Sequence, residues 1–272
     1  MPTPTSTTLF PVVRYPGGKQ AMLRFLSQYL PKSSEYTGRF IEPFLGGAAV
    51  FLFANPDRAL LSDSNPEVID LYRGINQNPE GVWQLYSSFG STKDDYLRIR
   101  SWKSENLSPT ERAARLLFLN RTCFKGNWRH NAKGEFNVGY GGQSRRWVIS
   151  ESLLIDVSLA FSNVDLRCTD FEETIELASY RDFLFLDPPY KPSERQLQNL
   201  HYGSNQFRFE DHKRLARCLE RASERGIRWC MTTASHPDIV ELFSSFRIIP
   251  VPSRRKGTTD SGQVAVLNIG GQ

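Results

Sequence analysis

Short apolar runs that end at turn residues predict the strands of a mixed α/β sheet. Residues 39–44 (RFIEPF) precede a glycine pair, residues 58–62 (RALLS) precede Asp63, and residues 183–186 (FLFL) precede two prolines. Apolar runs of this length between turn signals are typical of buried strands. Three further strands are predicted near the C-terminus, at residues 227–232, 246–251 and 263–269.

Helical periodicity and capping signals predict helices between these strands. Asn65-Pro66-Glu67 combines a capping residue, a proline in the first turn and an early acid, so a helix is expected from there through Ile75. Residues 77–160 are mostly amphipathic helix, and the Gly- and Asn-rich stretch 125–142 within them favours an extended loop or hairpin. The other predicted helices cover residues 50–54, 109–120, 209–225 and 237–243.

Strand–turn–helix units at both ends of the chain flank this helical block. The arrangement predicts an α/β fold with a Rossmann-like sheet that carries a mostly helical insertion with a hairpin. We assign residues 1–76 and 161–272 to one discontinuous domain and residues 77–160 to the insertion.

Composition indicates a globular protein and excludes a few classes. The chain is 39% hydrophobic and 23% charged, and it has no apolar run long enough for a membrane span. Its four cysteines lie far apart without metal-ligand spacing, so we expect neither a metal site nor a disulfide framework, and a reducing cytoplasm fits. Residues 1–10 lack the features of a signal peptide, and we expect a short disordered lead-in there.

Positive charge is concentrated in the insertion. Residues 93–146 contain twelve Lys or Arg and five Asp or Glu, a local net charge of +7 against +5 for the whole chain. Such a run is commonly a solvated face. Aromatic residues are interspersed here, however, and aromatics among cations suit stacking on bases beside phosphate contacts. Composition alone leaves both explanations open.

The turn after the first predicted strand has the features of a ligand site. The glycine pair that begins at Gly46 lets backbone approach a ligand closely, and Asp63 follows Gly46 by seventeen residues, close to the spacing at which an acid binds ribose hydroxyls. Glu42 would repel a pyrophosphate but suits the cationic, phosphate-free S-adenosylmethionine. The alternatives are a strand–helix turn that needs small residues and a turn-capping aspartate at Asp63.

The tetrapeptide Asp187-Pro188-Pro189-Tyr190 follows the third predicted strand. An amino group conjugated to a purine is a poor nucleophile because its lone pair is delocalised. The Asp187 carboxylate and the Pro188 carbonyl can accept its two N–H bonds, and Tyr190 can stack on an extruded base. A proline-rich turn with an incidental aspartate is the structural alternative.

Taken in order, these motifs resemble those of DNA adenine methyltransferases of the Dam type, the D12 class. The resemblance covers nearly the whole chain. The segments that carry it are YPGGK at 15–19, FIEPFLGGAAVF at 40–51, SDSNPEVI at 62–69, LNRTCFKGNWRHNAKGEFNV at 119–138, Asp170-Phe171 and DPPY at 187–190.

The resemblance implies an S-adenosylmethionine-dependent methyltransferase fold in which residues 1–76 and 161–272 are catalytic and residues 77–160 recognise DNA. It implies site-specific methyl transfer to N6 of adenine in double-stranded DNA, by base flipping and direct in-line attack, and a cytoplasmic, nucleoid-associated enzyme. No metal or membrane is implied, and a cognate restriction enzyme is a candidate partner. The implied catalytic residues are Asp187, Pro188 and Tyr190. The implied cofactor residues are Tyr15, Lys19, Glu42, Phe44, Gly46, Asp63, Asp170, Phe171 and Asp187, and the implied DNA contacts are Asn120, Arg121, Lys125, Asn127, Trp128 and Arg129.

The chain departs from the family pattern where DNA is read. Lys125 replaces a common Asn, and Asn127-Trp128 replaces an apolar and a small residue, so the target sequence (GATC or another) stays open. Residues 232–235 (TTAS) lack an Asn that relatives often carry. Three other functions remain as alternatives: an RNA adenine methyltransferase, a cytosine-N4 methyltransferase, which more often has Ser at position 187, and a DNA-binding module without enzymatic activity.

Overall fold

The computed structural model describes residues 9–15, 18–32, 35–131, 134–190, 207–252 and 260–268. Within these residues seven strands form one sheet. They are β1 (Phe40–Glu42), β2 (Ala59–Asp63), β3 (Val164–Cys168), β4 (Phe183–Leu186), β5 (Arg228–Ala234), β6 (Arg247–Pro252) and β7 (Asp260–Asn268). Their spatial order is β3-β2-β1-β4-β5-β7-β6. Strands β1 to β5 are parallel, and β7 is antiparallel to both β5 and β6. The predicted α/β sheet is confirmed.

The helices of the described residues alternate with the strands and fill the insertion. They are α1 (Leu23–Leu26), α2 (Ala49–Ala54), α3 (Pro66–Gln77), α4 (Pro79–Ser88), α5 (Lys93–Arg100), α6 (Pro109–Thr122), α7 (Glu151–Ala160), α8 (Phe171–Glu176), α9 (Phe209–Glu224) and α10 (Pro237–Glu241). As the sequence predicts, the Asn65 side chain caps α3 by accepting from the Glu67 N–H at 3.0 Å. Among these described helices, none is long and apolar enough to cross a membrane.

The predicted elements are present in the structure, but strand β3 and the helices α1 and α8 were not predicted. Strand β4 has the predicted bounds, and the other predicted strands and helices shift by one to three residues at their ends. Strand β3 was not predicted at all. Its side chains alternate between half-buried and exposed along most of its length, as expected of an edge strand with one covered face. The predicted lead-in at residues 1–8, residues 16–17 of the YPGGK motif and the last residue of the final predicted strand lie outside the described residues.

The two faces of the sheet bury two separate hydrophobic clusters. Alternate residues such as Phe40, Leu61 and Phe185 pack on one side, which we call the α3 face, together with α2, α3, α6 and α7. Their neighbours Ile41 and Leu184 pack on the opposite side against α8, α9 and α10. Successive strand side chains point to opposite faces, so a strand covered by helices on both sides must be apolar throughout.

The insertion shares the core of the α3 face. Buried side chains from α4, α5 and α6, among them Tyr86, Tyr96 and Phe118, belong to the same cluster as Phe40 of β1. The guanidinium of Arg146, which is only 1% exposed, donates to the carbonyl oxygens of Tyr86, Ser87 and Phe89 and so closes the end of α4. The helical block therefore shares one hydrophobic core with the α3 face of the sheet. The boundary at residues 77–160 stays a prediction.

The chain order reverses between β1 and β4, which are neighbours at the centre of the sheet. From β1 the connections proceed outward to β2 and β3, and from β4 they proceed the other way to β5. A crevice forms at the carboxyl ends of strands where the order reverses, and ligands of α/β proteins bind there. The structure thus places the segments after β1 and β4 at this switch point.

Candidate active site

Four polar side chains lie across the carboxyl ends of adjacent parallel strands on the α3 face. Asp63 ends β2, Glu42 ends β1, Asp187 follows β4 directly and Thr232 lies near the end of β5. Each stands two residues beyond a strand residue of the α3-face cluster, so the strand alternation carries them to that face. We call these four residues the strand-end row. It brings three carboxylates together in a largely buried crevice.

Asp187 is held at both carboxylate oxygens. The ammonium of Lys19 lies 2.7 Å from Oδ2, and the Thr232 hydroxyl donates to Oδ1 at 2.9 Å. Lys19 is 3% exposed and Asp187 is 19% exposed. Burial raises the pKa of Asp187, and the Lys19 cation and the Thr232 hydrogen bond oppose that rise. Thr232, which was noted in the sequence only as a departure from relatives, is thus a direct partner of the aspartate.

Tyr190 stands over the same ion pair. Its ring centroid is 4.8 Å from Nζ of Lys19, and its hydroxyl donates to Oε1 of Gln263 at 2.8 Å. The Asp187-Pro188-Pro189-Tyr190 tetrapeptide therefore presents a carboxylate and an aromatic ring on one side of the crevice. Gln263 lies in β7, and sequence reasoning did not identify it because nothing local marks it as functional.

Glu42 is 2% exposed and accepts a hydrogen bond from the Phe51 N–H at 3.1 Å. Burial raises its pKa well above the ordinary value, and the negative charges of Asp187 and Asp63 raise it further, while Lys19 opposes them. An ionised carboxylate in these surroundings is costly unless a cation lies nearby. The crevice consequently favours a positively charged ligand.

The glycine turn after β1 is closed by Asp63. Its two carboxylate oxygens accept from the backbone N–H groups of Gly46 and Asn65, each at 2.9 Å. Gly46 has a φ of +46°, and a Cβ there would lie 2.9 Å from the Tyr15 ring, so both conformation and contact require glycine. Asp63 therefore does make the turn-capping contacts that the sequence offered as an alternative role. A carboxylate has further lone pairs, so it can still accept from a ligand hydroxyl.

An aromatic cluster lies on the other face of the sheet, after β1 and at the start of α8. The rings of Phe44 and Phe171 stack with centroids 5.3 Å apart, and Phe207 contacts each of them at 5.7 Å. Asp170 caps α8 through the Glu172 N–H, and Arg214 of α9 both pairs with Asp170 at 2.8 Å and lies 4.3 Å above the Phe171 ring. Sequence reasoning identified Asp170 and Phe171 but missed Arg214 and Phe207, which reach the pair only through the fold.

Two of the residues predicted to contact DNA are buried. The Asn120 side chain both accepts from the N–H and donates to the carbonyl of Arg14, each at 2.7 Å. Arg121 donates to the carbonyl oxygens of Val12 and Pro11. They are 1% and 6% exposed. The end of α6 faces the core, so both side chains bind the backbone of residues 11–14, and their contact with DNA stays a prediction.

We call residues 123–140 the hairpin segment; its described residues include both exposed and buried side chains. Antiparallel bridges join Cys123 to Tyr140 and His130 to Phe136, in keeping with the predicted hairpin. Lys125, Asn127 and Arg129 are exposed.

Phe124 and Trp128 of the hairpin segment are placed differently. Trp128 is half-buried, donates from Nε1 to Glu67 at 3.0 Å and lies against Tyr15. Phe124, by contrast, is 53% exposed beside the Lys125 ammonium. An exposed aromatic next to a cation is the side-chain pair expected for stacking on a base, whereas the resemblance implied a DNA contact at Trp128 and not at Phe124.

Comparison with known proteins agrees with this geometry. A sequence model of D12 class N6 adenine-specific DNA methyltransferases matches residues 15–256. The chain is 35% identical over 268 residues to the DNA N-6-adenine-methyltransferase of Escherichia phage P1, which covers 95% of this chain but only 35% of that longer protein. It is 30% identical to a type II methyltransferase of Lactococcus lactis subsp. cremoris, over 96% of this chain and 94% of the relative. It is 31% identical to the DNA adenine methylase of Haemophilus influenzae, over 76% of this chain and 72% of the relative. This chain belongs to the family of D12 class N6 adenine-specific DNA methyltransferases.

Proposed function

We propose that this chain transfers the methyl group of S-adenosylmethionine to N6 of adenine within a specific sequence of double-stranded DNA. The observation that carries the proposal is the strand-end row, where the carboxylates of Glu42, Asp63 and Asp187 share a buried crevice with the Lys19 ammonium. Such a site suits a ligand that is cationic and lacks phosphate. Family membership supplies the class of reaction.

The residues of the crevice fit S-adenosylmethionine, which when bound supplies an electrophilic methyl group on a sulfonium. Glu42 is buried with a raised pKa, and a bound cation would favour its ionised form, so that its carboxylate would offset the positive charge of the ligand. Asp63 would accept from ribose hydroxyls, and the turn at Gly46, against which the Tyr15 ring packs, would lie beside the ligand. Phe44 with Asp170 and Phe171 would hold the adenine ring, and the Lys19 ammonium would favour the ionised form of Asp187.

In the chemical step, Asp187 and the carbonyl of Pro188 would each accept one N–H of the target amine. These hydrogen bonds would localise the nitrogen lone pair for in-line attack on the methyl group. The N–C bond would form as the sulfonium S–C bond breaks, a neutral thioether would leave, and the Asp187 carboxylate would accept the proton that the amine releases. Tyr190 would stack on the target base, which must leave the duplex to reach the crevice. Acceptors fixed before the reaction contribute most to such a step.

The hairpin segment would read the DNA. Lys125, Asn127 and Arg129 are exposed there, with Phe124 at its surface and Trp128 behind it. Arginine donates two hydrogen bonds to guanine in the major groove, and an aromatic ring can fill the gap that a flipped base leaves. We further propose association with the nucleoid and, since relatives include type II methyltransferases, a cognate restriction enzyme as partner.

The direct test incubates the purified chain with tritium-labelled S-adenosylmethionine and, separately, duplex DNA, single-stranded DNA and ribosomal RNA. Nucleoside chromatography of the product is expected to show label in N6-methyladenine from duplex DNA. Asp187→Ala is the matched control, because it removes the proposed acceptor and its product should be absent, and circular dichroism checks that the variant is folded.

Each alternative function gives a different result in this assay. Label in N4-methylcytosine would indicate a cytosine enzyme, and label only in RNA would indicate an RNA methyltransferase. A chain that binds DNA but shows no saturable S-adenosylmethionine binding by calorimetry would be a binding module. Any of these three results contradicts the proposed function.

A further inference from the structure

The antiparallel pair of β5 and β7 contributes two side chains that contact the tetrapeptide. Thr232 donates to Oδ1 of Asp187 at 2.9 Å, and Gln263 accepts from the Tyr190 hydroxyl at 2.8 Å. In the register of the two strands, Thr232 pairs with Ala265 and Ala234 pairs with Gln263. Thr232 and Gln263 are therefore diagonal neighbours on one face of the sheet.

We propose that Thr232 and Gln263 are positioning residues for methyl transfer, Thr232 by orienting the carboxylate of Asp187 and Gln263 by orienting the ring of Tyr190. This inference rests on the proposed function, in which Asp187 accepts an N–H of the target amine and Tyr190 stacks on the base. It assigns a catalytic purpose to a strand pair that carries no motif of the family resemblance.

The Asp187 carboxylate needs such an orienting partner. The last torsion of an aspartate is broad, so packing alone does not fix the directions of the lone pairs. Lys19 binds Oδ2, but an ammonium on a long flexible chain has three equivalent donors and tolerates many carboxylate orientations. Thr232 is fully buried, and its branched side chain has a restricted χ1 within the strand. Its hydroxyl therefore defines where Oδ1 points.

Tyr190 has a corresponding requirement. A ring that stacks on an extruded base must stand at a fixed angle, and two prolines before Tyr190 restrict its backbone but not its side chain. The hydrogen bond to Gln263 fixes the far end of the ring, about as remote from the backbone as the side chain reaches. The half-buried Gln263 is itself held in the regular pairing of β7 with β5.

The neighbouring threonine provides a matched control. Thr233 is 1% exposed and points to the opposite face of the sheet, and its hydroxyl has no hydrogen-bond partner among the described residues. Replacing either threonine by valine removes a hydroxyl and conserves volume at a buried site of the same strand. Only the Thr232 substitution removes a contact with Asp187.

The first experiment measures kcat, KM for DNA and cofactor Kd for Thr232→Val, Thr232→Ser and Thr233→Val. Thr232→Val is expected to lower kcat roughly ten- to a hundredfold, since a misplaced acceptor acts mainly on the chemical step. KM for DNA and cofactor Kd should stay within about threefold, because binding contacts are kept. Thr232→Ser retains the hydroxyl and should restore most of kcat, and Thr233→Val should match the wild type.

The pH profile of kcat separates positioning from a general structural defect. The Thr232 hydroxyl lowers the pKa of Asp187, so Thr232→Val should raise that pKa and move the acidic limb of the profile to higher pH. Lys19, Tyr190 and Glu42 face the same carboxylate and are unchanged in all three variants. A structural defect would lower kcat without moving the limb.

A double-mutant cycle tests Gln263 independently of Thr232. Gln263→Leu should lower kcat or raise KM for DNA in the wild type and have no further effect in a Tyr190→Phe background, where the hydroxyl is already absent. An additional loss in that background would overturn the role of Gln263.

Wild-type kcat in Thr232→Val, an equal loss in Thr233→Val or no restoration by serine would each overturn the role of Thr232. A wild-type chain without methyl transfer would overturn the proposed function and this inference together. An active wild type with unaffected variants would overturn the inference alone.

Discussion

The strand-end row and the hairpin segment hold their polar groups in opposite ways. In the row, Glu42 and Asp63 accept hydrogen bonds from backbone N–H groups, and both are at most 9% exposed. In the hairpin segment, Lys125 and Arg129 are exposed to solvent. Groups that stabilise a transition state act best when folding has already desolvated and oriented them. Groups that read DNA must be free to meet phosphates and bases.

The change from buried to exposed polar side chains takes place within a few residues at the end of α6. Asn120 and Arg121 end α6 and are bonded to the backbone of residues 11–14, whereas Lys125 lies on the exposed surface. Neighbouring positions of one motif therefore serve different regions. The comparison predicts that substitutions in the row affect cofactor binding and turnover, and that substitutions in the hairpin segment affect DNA affinity and selectivity.

The largest effect is expected for Asp187→Ala. Turnover should fall by about a thousandfold or more, since a transition-state acceptor and its negative charge are both lost. DNA affinity should change by less than tenfold because the hairpin segment is intact. Single-turnover methylation and a DNA-binding titration measure the two quantities. Retained turnover, or a larger loss of DNA affinity, would break the division between the regions.

The next largest effect is expected for Asp63→Ala. Cofactor affinity should weaken by roughly 1.5–3 kcal/mol, as a charge-assisted acceptor for ribose hydroxyls is removed. The variant also frees the Gly46 N–H, so the glycine turn itself should loosen. Calorimetry with S-adenosylmethionine measures the change, and Ser64→Ala at the exposed neighbouring position is the control. Unchanged affinity would leave Asp63 with the turn-capping role only.

The next prediction concerns Arg129 and Arg121, whose substitutions should have different effects. Arg129→Ala should cost roughly 1–3 kcal/mol on the cognate site and relax selectivity at one base position. Arg121→Met should instead lower the free energy of unfolding by roughly 1–3 kcal/mol, because two backbone carbonyls lose their donor, and should leave selectivity unchanged.

Competition binding with cognate and random duplexes, together with chemical denaturation, distinguishes the two arginines. Lys103→Ala, at an exposed lysine, is the reference for a phosphate contact, which weakens all sequences alike and lowers the salt slope by about one. An equal loss on both duplexes would reassign Arg129 to the DNA backbone.

The smallest effect is expected for Glu42→Gln, which should increase the stability of the fold but weaken cofactor binding. The pKa of Glu42 is raised by burial, so its contribution to stability is present at low pH and is lost as the pH rises through that raised value. Glutamine does not titrate, and the variant should therefore be more stable above that pH by on the order of 1 kcal/mol. Cofactor affinity should fall about tenfold as the charge is lost.

Denaturation at several pH values, with calorimetry at neutral pH, checks both signs. The stability gain should vanish at low pH, where the wild-type carboxyl group is neutral as well. A variant that is less stable at neutral pH would show that the Glu42 carboxylate is compensated within the folded chain alone.

The central strands were predictable because their signals are local. The segment FLFL before two prolines gave β4 its predicted bounds, and the position of Glu42, Asp63 and Asp187 at strand ends followed from the turns behind them. Strand β3 was missed although its alternation of Val164, Asp165 and Leu166 is a local signal, because a short half-exposed run is easily read as loop.

The sequence by itself determined the chemistry that the chain carries: the order of its motifs, the acids behind its strands and the tetrapeptide with its carboxylate and ring. Those depend on residue type and short-range spacing. Only the tertiary structure decided that Asn120 and Arg121 are buried, that Phe124 is exposed while Trp128 is half-buried, and that Thr232 and Gln263 contact the tetrapeptide. Burial and contact between residues more than forty positions apart arise from packing and strand register, which no local pattern encodes.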